Sequence, residues 1–108
     1  MIIAIDVDNT LLVRQGSKTV LRSDLVLMMM AIHGLGLAEL VVWSGGGQDY
    51  AEAMVNRYGI SHLVSECRGK GDATFHPDIT IDDQMQQAGR VNLRLPGDIE
   101  PTPWMGVW

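Results

Sequence analysis

The first ten residues constrain this chain more than any other stretch. Met1 to Ile5 is a continuous apolar run rich in isoleucine, and it stops abruptly at Asp6-Val7-Asp8-Asn9-Thr10. A strand half exposed to water would alternate apolar and polar residues, whereas an unbroken run suits a strand buried on both faces of a parallel sheet. Asp6 and Asp8 would then lie where the strand leaves the sheet, at the edge where open α/β sheets bind ligands.

The remainder follows the same logic. Leu11 to Leu21 contains Arg14, Gln15, Gly16, Ser17 and Lys18, a polar stretch that predicts a loop or small hairpin over the end of that strand. Ser23 or Asp24 can cap a helix running through Leu25, Met28, Met29 and Ile32 to the stop signals Gly34 and Gly36. Leu40 to Trp43 reads as a second strand ending at Ser44-Gly45-Gly46-Gly47. A second helix is expected over about Gln48 to Tyr58, with Ala51, Met54, Val55 and Tyr58 on one face and Gly59 at its end. His62 to Val64 reads as a third strand, Ile79 to Ile81 as a fourth, Met85 to Ala88 as a helical turn and Val91 to Leu95 as a fifth strand. Beyond Pro96 the proline- and glycine-bearing stretch with Trp104 and Trp108 predicts an irregular tail, over about 96–108, that either folds back on the core or forms a homodimer contact.

Strands alternating with helices predict an α/β fold: a three-layer, Rossmann-like parallel sheet with helices on both faces. The 108 residues suit one domain over 1–108, and 46% hydrophobic against 19% charged residues is enough apolar material for one core. Met28 to Met30 are expected to be core packing. The lone Cys67 excludes an internal disulfide framework and a cysteine-based zinc cluster. A net charge of −5 lacks the basic balance of a protein that grips nucleic acid through its phosphates. The opening apolar run has no basic leader and is expected to be neither signal peptide nor membrane span, which makes the cytoplasm the default location and no membrane partner the expectation.

On this plan the unusual polar residues share one edge. Asp6 and Asp8 follow the first strand, Ser44 the second, and Asp82 with Asp83 the fourth. Carboxylates this close repel one another unless a cation sits among them, and an oxygen-only set suits magnesium better than zinc. A divalent cation would also neutralise phosphate oxygens, which favours phosphoryl chemistry. One of Asp6 and Asp8 could attack phosphorus while the other protonates the leaving oxygen. The Ser44 hydroxyl with the Gly45 and Gly46 N–H groups suggests a phosphate cradle, and Lys70 in Arg68-Gly69-Lys70-Gly71 could supply positive charge. Each feature also has a plain reading: a turn or helix cap for the aspartates, a flexible turn for Ser44-Gly-Gly-Gly, a solvated surface side chain for Lys70. His33, His62 and His76 read as structural or exposed, and Cys67 as inert.

Taken in order, Ile-Ala-Ile-Asp6-Val-Asp8-Asn9-Thr10-Leu-Leu, Val-Val-Trp-Ser44-Gly-Gly, Lys70 and Ile-Thr-Ile-Asp82-Asp83 resemble the haloacid dehalogenase-like hydrolases over roughly residues 1 to 84. The resemblance implies Asp6 as nucleophile and metal ligand, and Asp8 as general acid/base that also offers its backbone carbonyl to Mg2+. It implies Asn9, Thr10, Ser44 and Gly45 around the substrate, Lys70 as charge stabiliser, and Asp82 with Asp83 completing the metal site, with Lys18 or Arg68 as alternatives to Lys70. Dehalogenases of this kind lack the second aspartate, so Asp8 favours a phosphatase that forms an aspartyl-phosphate. With 33 residues between Thr10 and Ser44 and 25 between Ser44 and Lys70, no cap domain is expected. The implied substrate is a phosphomonoester: a nucleotide, a polynucleotide end, a sugar phosphate or a protein. The alternative is a non-catalytic binding or regulatory domain on the same fold.

Overall fold

The structure is a computed structural model and describes residues 1–96. The expected tail beyond Pro96, with Trp104 and Trp108, lies outside the described residues.

Five parallel strands form the sheet in the order β5-β4-β1-β6-β7, from β1 (Ile2–Asp6), β4 (Glu39–Ser44), β5 (Glu66–Gly69), β6 (Ile79–Asp82) and β7 (Val91–Arg94). The opening apolar run is the central strand, with Ile5 in register with Val42 on one side and Ile81 on the other. Burial on both faces is what an unbroken apolar run predicts. Leu12–Gln15 (β2) and Lys18–Leu21 (β3) pair as an antiparallel hairpin turning at Gly16, whose φ of 65° suits glycine.

Two helices complete the regular structure. α1 spans Ser23–Leu35 and ends at Gly36, whose φ of 64° and N–H to the His33 carbonyl, with the Leu37 N–H to the Ile32 carbonyl, close its last turn. The expected cap at Ser23 or Asp24 is not there: Arg22 holds that position without a side-chain hydrogen bond to the helix end, and Asp24 lies inside the first turn, where its charge complements the helix dipole. α2 spans Gln48–Arg57 and buries Ala51 and Val55 as the periodicity predicted.

Chain direction explains where these pieces lie. From β1 to β4 to β5 the chain steps one way across the sheet, so right-handed crossovers put both helices on one face. Leu25 and Met29 of α1 and Ala51 and Val55 of α2 accordingly share one cluster with Ile3, Ile5, Leu40 and Val42. The return from β5 to β6 and the step to β7 run the other way, which sends residues 70–78 and 83–90 over the opposite face. There Ala4, Val41 and Trp43 meet Phe75, whose ring stands edge-on to Trp43 with centroids 5.7 Å apart. Among the described residues, then, helices cover one face and loops the other, which corrects the expectation of helices on both.

Other corrections are local. Residues 61–63 form a 3-10 turn, and the third strand of the sheet is Glu66–Gly69 instead of His62 to Val64. An edge strand is only half covered, so its residues need not be apolar. Met85 to Ala88 forms bends and no helical turn. Of the three consecutive methionines only Met29 is buried; Met28 and Met30 are 38% and 51% exposed, because successive helical residues point about 100° apart.

Candidate active site

The order of the strands reverses between β1 and β6, and a crevice at such a switch point is where open α/β sheets take ligands. Asp6 ends β1 and Asp82 ends β6, so the two carboxylates flank it. Both are buried: 6% exposed for Asp6 and 0% for Asp82.

A single ammonium joins them. Lys70 Nζ lies 2.8 Å from Asp6 Oδ1 and 2.7 Å from Asp82 Oδ2. Lys70 arrives there because its backbone N–H donates to the Ser44 carbonyl at 3.0 Å, tying the end of β5 to the end of β4. Gly69 permits that approach, since a Cβ on it would come within 3.3 Å of Gly47 Cα. The other Asp6 oxygen, Oδ2, accepts a hydrogen bond from the buried Thr10 hydroxyl at 3.1 Å, while Asp82 Oδ1 accepts the Gln84 N–H at 3.0 Å.

These surroundings act on charge. Burial, the largest influence, together with the nearby Asp82 and Asp83, pushes the Asp6 carboxyl up to about 6, against the pull of Lys70. For Lys70 burial favours the neutral amine, but hydrogen bonds and charge from Asp6 and Asp82 outweigh it and hold the ammonium more firmly than usual. Asp6, Asp82 and the half-buried Asp83 each offer an oxygen within 4.8 Å of the others. That donor set is all carboxylate, and no histidine joins it: His33, His62 and His76 are all exposed. The chemistry of the set fits a hard cation such as Mg2+.

Asp8 diverges from Asp6, as two side chains on an extended segment can once the strand ends. It is exposed, and its Oδ1 accepts a hydrogen bond from the Tyr50 hydroxyl at 2.7 Å. That bond, then burial, pushes the Tyr50 phenol up to about 12. No sequence motif marks Tyr50 as a site residue. Its only signal was position, in the first turn of α2 directly after the Ser44-Gly-Gly-Gly loop, and its partner is 42 residues away.

Ser44 is buried at the end of β4, and its Oγ accepts the Gly46 N–H at 3.0 Å. The Gly46 N–H expected in a phosphate cradle is therefore engaged within the turn, while the loop is exposed at Gly45. Asn9 is exposed in the left-handed region at φ 61°, a conformation asparagine tolerates, and shapes the turn after β1. The two alternatives to Lys70 lie elsewhere. Arg68 pairs with Glu66 at 2.6 Å and Asp72 at 2.9 Å and stacks on Phe75, and Lys18 is exposed on the hairpin. Burial, then Glu52 and Glu66, push the Cys67 thiol up, which suits an inert residue.

Compared with family models, with curated proteins and with solved structures, the chain matches none. Among the described residues no helix is long and apolar enough to cross a membrane.

Proposed function

We propose that this chain is a magnesium-dependent phosphatase on a cap-less, haloacid dehalogenase-like core, hydrolysing a phosphomonoester through an aspartyl-phosphate on Asp6. The observation that carries the reading is the Lys70 ammonium bridging Asp6 and Asp82 at a strand-order reversal, with a second, exposed carboxylate two residues beyond Asp6.

In this reading one Asp6 oxygen attacks phosphorus while the P–O bond to the leaving group breaks. Asp8 gives its proton to the departing oxygen, and then takes a proton from water as that water attacks the aspartyl-phosphate. Inorganic phosphate leaves and Asp6 is restored. Tyr50, through its bond to Oδ1, holds the Asp8 carboxyl in one orientation during both transfers. Lys70 offsets the charge that Asp6, Asp82 and the phosphoryl oxygens bring together, and the Ser44 hydroxyl donates to a phosphoryl oxygen. Mg2+, held by Asp6, Asp82 and Asp83 with the Asp8 carbonyl, would neutralise the phosphoryl oxygens.

The test is hydrolysis of an aryl phosphate with and without Mg2+ by the wild type, Asp6→Asn and Asp8→Asn. The expected outcome is magnesium-dependent turnover that falls by a factor on the order of a thousand in either variant. Full activity in Asp6→Asn overturns the mechanism. Binding of Mg2+ by a wild type that turns over no phosphoester would favour the binding or regulatory domain instead.

A further inference from the structure

A groove of about 310 Å3 opens beside Asp8, between the hairpin and α2. Leu12 and Thr19 form its hairpin wall, and Tyr50, Met54, Arg57 and Tyr58 form the other. Asp8 and Tyr50 therefore belong both to the groove and to the hydrogen bond beside the reacting carboxylates. A leaving group protonated by Asp8 would meet this groove.

Its lining is specific in two respects. Tyr50, Tyr58 and the Met54 thioether present flat or polarisable surface, which favours a planar ring over a flexible polyol. One guanidinium lines the same space, and a second stands on the neighbouring hairpin face. Arg57 lines it, with Cζ 5.8 Å from the Tyr58 ring centroid. Arg14 is the cross-strand partner of Thr19 and so shares a hairpin face with it. Among the described residues neither arginine lies within ion-pair distance of a carboxylate, in a chain whose net charge is −5. Arginines without a carboxylate partner at a groove mouth suit a second anionic group on the ligand.

We propose that the groove holds the leaving group of the phosphoester and that this group is a nucleoside carrying a further phosphate. The base lies against Tyr58 and Met54, and the second phosphate meets Arg57. The placement of the reacting phosphate rests on the phosphatase reading. The same chemistry is found in a free nucleoside bisphosphate and in the phosphorylated end of an oligonucleotide.

Binding in the Asp6→Asn protein separates this inference from the activity. Calorimetry with Mg2+ would compare adenosine 3′,5′-bisphosphate, a 5′-phosphorylated tetranucleotide and phenyl phosphate. At least one nucleotide probe is expected to bind about tenfold more tightly than phenyl phosphate, and the tighter of the two identifies the source. Adding the exposed substitution Arg57→Gln should remove about tenfold of that affinity, and Tyr58→Leu about threefold. The proposal is overturned if phenyl phosphate binds as tightly as both nucleotide probes, or if Arg57→Gln leaves their affinity unchanged. An inactive wild type would count against the phosphatase and leave this binding result standing.

Discussion

Asp6 is costly for the fold to keep. In the unfolded chain its carboxyl loses its proton near 3.8, whereas in the folded chain it holds it up to about 6. Between roughly pH 4 and 6 the folded state therefore binds more protons than the unfolded state, so this residue's contribution to stability falls as pH rises through that window. A separation of about two units corresponds to at most roughly 3 kcal/mol. The metal-free Asp6→Asn protein should lack this component of the pH slope and be more stable than wild type at pH 7 by on the order of 1 kcal/mol, as read by urea midpoints at pH 4 and 7. Saturating Mg2+ should raise the wild-type melting temperature and raise that of Asp6→Asn less, because Asp82 and Asp83 remain. At Tyr50 the expectation is different in kind. Tyr50→Phe keeps the ring and loses the hydrogen bond to Asp8, so turnover should drop roughly three- to tenfold with little change in stability, about the worth of one hydrogen bond.

At the scale of elements, the loop from Ser44 to Gly47 is held by its neighbours as much as by its own sequence. Gly47 has φ 103°, and Gly69 lies against its Cα. Gly69→Ala would have to displace backbone, moving the Ser44 turn away from the end of β5 and Lys70 with it. The expected result is a lower melting temperature together with a loss of aryl phosphatase activity greater than the stability change accounts for. Gly36→Ala offers the contrast: its left-handed φ of 64° makes it destabilising by about 1 kcal/mol, while it lies at the far end of α1 with open space around it and should leave turnover unchanged. These elements were legible in the sequence to different degrees. β1, β4, β6 and α2 announced themselves because each is buried along a face that its apolar spacing records. β5 did not, because Glu66 and Arg68 on a half-covered edge strand pair with each other across the surface and carry no apolar pattern.

For the molecule as a whole, the face without helices depends on one side chain. Phe75 is 8% exposed and covers Trp43, while the Arg68 guanidinium packs 4.5 Å from its ring centroid. Phe75→Ala should cost about 3 kcal/mol, measurable by denaturant unfolding, because it removes the apolar ring that stands edge-on to Trp43 and leaves a void beside it. The amino-acid sequence by itself determined that β1 would be buried, that Asp6, Ser44 and Asp82 would end strands, and that a polar loop or small hairpin would follow β1. Each of these follows from local pattern, since burial and chain reversal leave marks within a few residues. Only the tertiary structure decided which face each connection covers, that Lys70 and not Arg68 reaches the carboxylates, and that Tyr50 holds Asp8. Those outcomes depend on strand order and crossover direction, which bring together residues tens of positions apart and leave no periodic trace in the chain.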